Sequence, residues 1–462
     1  MNNKKESSNE KKYSTWTHIS FNLVMVMLPA TWGMFSVNFF WYYETEVLLP
    51  VILVGIANVI FTLWDAFNDP LVGYISDRPN RMTKRYGRRF PFIVIFGIPT
   101  MVSLILLFVP PFVDAKINPI PIFIWILIWL LIHELSYTAV SLARALYPEK
   151  FRSDSERRKN AGIGIFTYNL GMFMGLIVPM IFVVKGDIQS YLIGAIVLMV
   201  PCFICFFLGI PGVREEKEMI ERSFKAAKEP FLKTMKTTLK KKNFLALIFV
   251  SISTQAFGAC ILGSIYYYVA FILMEPPGSQ ADILFMLFWF IAGLLSVPFW
   301  MKLSNKVGHK KIQFIAIITT VISSIPFIFL NTLIGALIAV FILGFVGGAG
   351  TFVRYPIFSD MIDETAILDG KRQEGAYQGI LAFFDRFGIL LQPIIFTVIH
   401  IITGFNPESE IQTPLAQQGI IAAMTWIPAI IVLVAGLVFW KVYDLTPDKT
   451  SEIKSKLKEL NL

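Results

Sequence analysis

Asp65, Asn68 and Asp69 stand at positions i, i+3 and i+4 of the stretch WDAFNDPLVGYISDRPNRMTKRYGRRF, residues 64–90. A helix sets residues at that spacing on one face. Their neighbours are apolar, and an ionised carboxylate near the centre of a membrane helix costs roughly 2.5–3.5 kcal/mol on insertion scales. Asp65 lies about ten residues from the inner end of that apolar run, too deep for its short side chain to reach water. Two readings are open. The acids pair with arginines and only hold helices together, or they form a site for Na⁺, Li⁺ or H⁺. Two carboxylates and an amide oxygen are hard ligands, and a cation between them offsets their mutual repulsion. Pro70 follows directly, where a distortion of the helix would free carbonyl oxygens as further ligands. The stretch ends in a basic loop, Arg78, Arg81, Lys84, Arg85, Arg88 and Arg89, of the kind that stays on the cytoplasmic side.

Other charges sit in apolar surroundings. Asp385 and Arg386 are adjacent, and adjacent helical residues point about 100° apart, so they do not fully satisfy each other. Arg386 is a candidate for a central cavity, as counter-charge to the acids near residue 65, with Asp385 beside it. Arg354 is a further candidate, as charge partner or as binder of an anionic solute; a buried ion pair is the alternative for each. His133 and Glu134 form the remaining deep polar pair, and Glu134 is either a proton-coupling acid or a hydrogen-bonding group towards a neighbouring helix. Arg144, Glu149, Arg157, Asp360, Asp363, Glu364 and Arg372 fall at the inner ends of apolar runs. They suit a salt-bridge gate, with ordinary solvated loop charge as the alternative.

The elements that carry these residues are membrane helices. The chain has 462 residues, 55% of them hydrophobic, and a mean hydropathy of +0.63. Apolar runs of about 20 residues recur along it, which identifies an all-α polytopic membrane protein. Twelve spans are expected, at 19–43, 47–75, 90–110, 120–147, 160–184, 189–210, 244–274, 280–304, 312–331, 334–360, 374–403 and 417–441. The expected organisation is an N-terminal tail (1–18), a six-helix bundle (19–210), a basic linker (211–243), a second six-helix bundle (244–441) and a C-terminal tail (442–462). Basic residues collect in alternate loops, which puts both termini in the cytoplasm by the positive-inside rule. The net charge of +9 is explained by those loops and calls for no nucleic-acid partner. Cys202, Cys205 and Cys260 lie in apolar runs, so helix packing rather than redox chemistry is expected. The four histidines, His18, His133, His309 and His400, lack ligand spacing, and no nucleophile–base set stands out, so neither an enzyme nor a resident metal is expected. A weak internal repeat places Gly308-His309-Lys310-Lys311 221 positions after Gly87-Arg88-Arg89, as in carriers built from two related halves.

Three stretches then carry a family resemblance: DAFNDPLVGYISDR…GRRFPF, RALYPEKFRSDSERR and FSDMIDETAILDGKRQEGAYQG. Together they resemble the glycoside–pentoside–hexuronide:cation symporters of the major facilitator superfamily, the group that includes the melibiose carrier. The resemblance spans both halves. It implies the major facilitator fold, twelve helices in two pseudo-symmetric six-helix bundles, and alternating access. It implies a cation site of Asp65, Asn68, Asp69 and Thr138, and gate charges at Arg157, Asp360, Asp363 and Arg372. The family's helix 11 lysine matches Arg386, or Asp385 with a one-residue shift. The family's sugar-site acids and arginine do not carry over, since Pro29, Ser141 and Ile165 stand at those places. The expectation is a symporter for a small polar solute, a sugar or glycoside, driven by Na⁺ or H⁺ with Li⁺ as a further coupling ion. A lysolipid carrier and a non-transporting membrane sensor are the alternatives. No cofactor is expected, and the partners are the solute, the coupling cation and the plasma-membrane bilayer, around a functional monomer.

Overall fold

The structure is a computed structural model that describes residues 12–76, 85–216, 218–220, 231–276, 279–370 and 373–460. Twelve helices among these are long and apolar enough to cross a membrane. In chain order the helices are α1 (Thr15–Leu23), α2 (Met27–Trp41), α3 (Val51–Ser76), α4 (Phe90–Leu107), α5 (Ile120–Lys150), α6 (Asp154–Phe182) and α7 (Ile188–Val213). There follow α8 (Phe231–Thr238), α9 (Lys242–Phe271), α10 (Ala281–Val307), α11 (His309–Ser324), α12 (Leu333–Asp369) and α13 (Glu374–Thr403). The chain closes with α14 (Pro414–Ile421), α15 (Ile427–Val442) and α16 (Pro447–Leu460). One π-helical turn, Tyr42–Glu46, extends α2, and another, Ala422–Trp426, joins α14 to α15. The backbone divides into two compact units, Met1–Leu53 with Leu63–Ala227, and Val54–Thr62 with Lys228–Leu462.

Each helix sorts its residues by face. On α5, Ile120, Ile124, Ile128 and Ile132 are exposed at i+4 intervals, while Ile122, Ile126, Leu130, His133 and Glu134 are buried. The first row suits lipid and the second protein. Where helices must touch closely, glycine supplies the room. A Cβ on Gly171 would meet the Val26 carbonyl oxygen at 2.3 Å, and one on Gly175 the Ala30 oxygen at 2.1 Å. Small residues let backbones approach in lipid, where no hydrophobic force drives one helix onto another. Gly212 closes the third side of α1, its N–H donating to Ser20 Oγ at 2.9 Å.

The second unit is built around α9, whose Tyr266, Tyr267 and Tyr268 are fully enclosed. A Cβ on Gly388 would fall 2.3 Å from the Ile252 oxygen, so α13 and α9 are in backbone contact there. Several helices run past the expected boundaries, α6 among them, which starts at Asp154. The first span begins at Thr15, capped by Ser14 Oγ, and α12 runs to Asp369, where Gly370 ends it in the left-handed region at φ 68°. The expected distortion at Pro70 is absent, because α3 continues unbroken to Ser76. What Pro70 does release is one carbonyl, that of Ala66, whose i+4 donor would have been the missing N–H.

Candidate cation and solute sites

α3 places Asp65, Asn68 and Asp69 within one turn, and α5 brings Glu134 and Thr138 to them. Asn68 is completely buried. Its Nδ2 donates to the Glu134 carbonyl at 3.1 Å, while its Oδ1 is buried with no hydrogen-bond partner among the described residues. Thr138 Oγ1 lies 2.9 Å from Asp69 Oδ1 and 3.2 Å from Glu134 Oε1. A hydroxyl has one proton and cannot donate it to two ionised carboxylates at once. A proton on one acid or a cation among the oxygens would suit this arrangement, in which Asp69 and Glu134 also have further contacts of their own. The orphaned Asn68 oxygen is the kind of ligand such a cation would take. Among the described residues, no group of three or more His, Cys, Asp or Glu side chains converges as a resident metal site.

The deep pair in α5 divides its work. His133 turns to α4, where its Nδ1 lies 3.0 Å from Ser103 Oγ and 3.2 Å from the Thr100 carbonyl. Glu134 turns to Thr138 on its own helix, and so to the α3 acids.

The first unit also holds a cavity of about 180 Å³, lined by Asn22, Pro29, Arg144, Thr167 and Tyr168 among others. Pro29 is the only one of the three family sugar-site positions among its lining residues. Ser141 Oγ is turned back onto the Thr138 carbonyl at 2.9 Å, and Ile165 is 65% exposed.

In the second unit, Arg354 Nη2 pairs with Asp385, and Ser251 Oγ donates to the same carboxylate. Arg386 instead donates Nη1 to the Ala382 carbonyl at 2.8 Å, so the two adjacent charges of α13 do serve different neighbours.

The sequence profile of the family described as MFS/sugar transport protein matches residues 20–447. The chain belongs to this family. It is 23% identical to the uncharacterized symporter YnaJ of Bacillus subtilis (strain 168), over 98% of this chain and 96% of that protein. It is 22% identical to sodium-dependent lysophosphatidylcholine symporter 1 of Mus musculus, over 86% of this chain and 79% of the relative. Among solved structures, a bacterial homologue of the human lysosomal transporter Spinster, inward-facing and unoccupied, superposes with a TM-score of 0.67 at 12% identity. That match covers 96% of this chain and 99% of the other, and shows the major facilitator fold.

In this MFS protein the remaining site candidates lie at or near helix ends. Arg88 Nη2 and Arg89 Nη1 both reach Glu149 Oε1, at 2.9 and 2.8 Å. Burial lowers the Arg89 guanidinium from its usual range, and the nearby Glu149 works against that shift. Arg157 donates Nε to the Phe151 carbonyl at 3.0 Å. Asp360 is 2.5 Å from His309 Nδ1 and 3.9 Å from Lys454 Nζ. Asp363 lies on the same helix, with further contacts of its own. Arg372, like Arg78, Arg81 and Lys84, lies outside the described residues.

Sequence reasoning missed three residues here. Glu215 Oε1 accepts the backbone N–H groups of Arg89 and Phe90, at 2.6 and 3.0 Å, and caps the start of α4. His309 holds Asp360, a partner that the repeated glycine-plus-cation turn could have signalled. Asp444 gathers Lys242, Lys449 and Asn243 at 2.6, 2.9 and 2.9 Å, tying α16 to the inner end of α9. Nothing in the spacing of these three residues announced that contact.

Proposed function

We propose that this MFS protein is a cation-coupled symporter of a small polar solute, a sugar or glycoside, of the glycoside–pentoside–hexuronide type. It sits in the plasma membrane with both termini cytoplasmic, and works by alternating access as a monomer. The coupling ion is Na⁺ or H⁺, with Li⁺ as a further candidate, and it is cargo rather than a resident cofactor. The observation that carries this reading is the buried Asn68 Oδ1, without a hydrogen-bond partner among the described residues, beside the hydroxyl that Asp69 and Glu134 share.

Coupling then follows from charge. Entry of a cation relieves the repulsion between Asp65 and Asp69 and gives the Asn68 oxygen a partner. The filled site favours the solute-binding form, and linkage requires the solute to tighten the cation by the same factor. Arg157, Asp360, Asp363 and Arg372 belong to this reading as charges that close the inner end.

The test is thermal stabilisation of the purified protein. Na⁺ should raise the melting temperature, and Asp69→Asn should remove that rise while leaving the fold intact. A rise of equal size in the variant would remove Asp69 from the site. A second reading, a lysolipid carrier, is supported by the likeness to the murine lysophosphatidylcholine symporter over most of the chain. Stabilisation by lysolipids and by no sugar would establish it in place of the first.

A further inference from the structure

We propose that one rim of the second unit is a docking site for the headgroup of an anionic phospholipid. The end of α10, the start of α11 and the end of α15 form this rim, and Lys306, Lys310, Lys311 and Lys441 hold the headgroup beside Trp440. The lipid is a resident of the bilayer rather than cargo, so the site is separate from those for solute and cation.

Charge compensation singles the rim out. Elsewhere in this unit the lysines near helix ends are matched by acids. Lys241 pairs with Asp369, Lys242 and Lys449 with Asp444, and Lys454 with Asp360. Lys302, Lys306, Lys310, Lys311 and Lys441 have no ion pair and no side-chain hydrogen bond among the described residues. α11 and α15 contain no acid, and the single acid of α10, Asp282, stands in its first turn, at the opposite end from Lys306. The nearby carboxylates are already engaged. His309, next to Lys310, takes Asp360, and Asp444, three residues past Lys441, takes Lys242, Lys449 and Asn243. The counter-charge for the rim therefore comes from outside the chain.

The helix faces place these lysines at headgroup level. Leu295, Phe299, Lys302 and Lys306 fall at i, i+4, i+7 and i+11, on one face of α10, and all four are exposed. Val434, Leu437 and Lys441 do the same on α15 at i, i+3 and i+7. On both helices an apolar stripe that suits lipid ends in lysine. Trp440 marks the border between the two. Its ring is 40% exposed and packs on Phe314, with 4.7 Å between ring centroids. Tryptophan favours the membrane–water interface. The Lys310 ammonium lies 5.0 Å from the centre of the same ring, so a cation–π contact brings Lys310 of α11 to the turn of α15 that carries Lys441.

The chemistry of the rim selects the headgroup. A lysine stem lies along apolar surface while its ammonium reaches a phosphate, and clusters of four or more lysines beside a span attract anionic lipids. A zwitterionic headgroup brings its own cation, which these lysines repel. A headgroup of net negative charge brings none.

The experiment titrates purified full-length protein, delipidated in a neutral detergent, with dioleoyl phosphatidylglycerol or with dioleoyl phosphatidylcholine. Thermal shift and native mass spectra of the retained lipid are the readouts. Phosphatidylglycerol should bind about ten-fold or more tightly than phosphatidylcholine. Most of that advantage should vanish between about 0.15 M and about 1 M salt, as the Debye length falls from about 8 to about 3 Å. Lys306→Gln, Lys310→Gln and Lys441→Gln combined should erase the preference, and arginine at the same three positions should keep it. Lys236→Gln, Lys240→Gln and Lys456→Gln combined remove the same charge elsewhere in the unit and should leave the preference unchanged. Inorganic phosphate should shift nothing. Equal binding of the two lipids, a preference indifferent to salt, or one that survives the first glutamine triple overturns the proposal. So does a preference lost equally in the second triple, or a phosphate shift as large as that of the lipid. If the first glutamine triple fails to fold, the salt dependence and the arginine triple decide alone.

Discussion

Each unit of this MFS protein holds a deep carboxylate against a hydroxyl, and the two differ in the third member. In the first unit Thr138 stands between Asp69 and Glu134, two acids on one hydroxyl. In the second, Asp385 takes Ser251 on one side and the Arg354 guanidinium on the other. The second triad closes on its own charge. The first sets one hydroxyl between two acids, an arrangement that a proton or cation would suit. The same kind of residue in the same kind of apolar surroundings is a fastening in one place and a candidate binding site in the other.

Breaking the closed triad should produce the largest effect. Arg354→Gln leaves the Asp385 carboxylate, 9% exposed, without its cation. Removing one partner of a buried pair costs about 3 kcal/mol or more. Adding Asp385→Asn to the same chain should restore most of that loss, as measured by chemical or thermal unfolding in detergent. If the single variant is as stable as the wild type, the pair is not a fastening. The open triad should respond in the opposite sense. At a Na⁺ concentration about 100-fold above the dissociation constant, ligand linkage stabilises the wild type by about 2.7 kcal/mol. Asp69→Asn should forfeit this stabilisation yet match the wild type without Na⁺.

Glu134 sharpens the comparison further. Glu134→Gln keeps a hydrogen bond to Thr138 but removes the ionisable group. Protons and Na⁺ compete for one set of carboxylates, so the Na⁺ dissociation constant in the wild type should rise as pH falls. The variant should show a flatter profile, read by Na⁺ titration at each pH. An unchanged slope would place the pH dependence elsewhere.

The spans were legible because lipid asks one thing of a sequence, some 20 apolar residues between polar ends. Asp65, Asn68 and Asp69 were legible because acids in such a run demand a reason. The ends of helices were harder. α12 extends to Asp369 because its polar last turns are held by neighbours, as where Lys449 Nζ reaches Glu364 at 3.3 Å, and hydropathy stops at the membrane edge. Asp385 and Arg386 illustrate the other limit. The sequence set them side by side, and only the packing of α9, α12 and α13 gives Asp385 its Ser251 and Arg354 partners. At Thr138 the family resemblance already joined it to Asp69 and the i+4 spacing set it on the face of Glu134, but that one hydroxyl meets both acids came only with the packing of α3 on α5.

The smallest expected effect lies at the C-terminal helix, where the second unit has a fastening that the first builds differently. Arg88 and Arg89 pair with Glu149 within the first unit, joining the start of α4 to the end of α5. In the second, Asp444 is bonded by Lys242, Lys449 and Asn243 and so holds α16. Burial alone would raise the Asp444 carboxyl, but the hydrogen bonds from Lys242, Lys449 and Asn243 outweigh it and hold it well below the usual carboxylate range. A carboxyl lowered in the folded state contributes stability above its unfolded pKa, and loses it as pH falls through the folded one. The docking of α16 should therefore persist at pH 5 and weaken only in strong acid. Asp444→Asn should loosen it already at pH 7, seen as faster amide exchange across 447–460, with little change in melting temperature because the site is largely solvated. Protection in α16 that is the same in variant and wild type at pH 7 would show that packing, not this charge cluster, holds the helix.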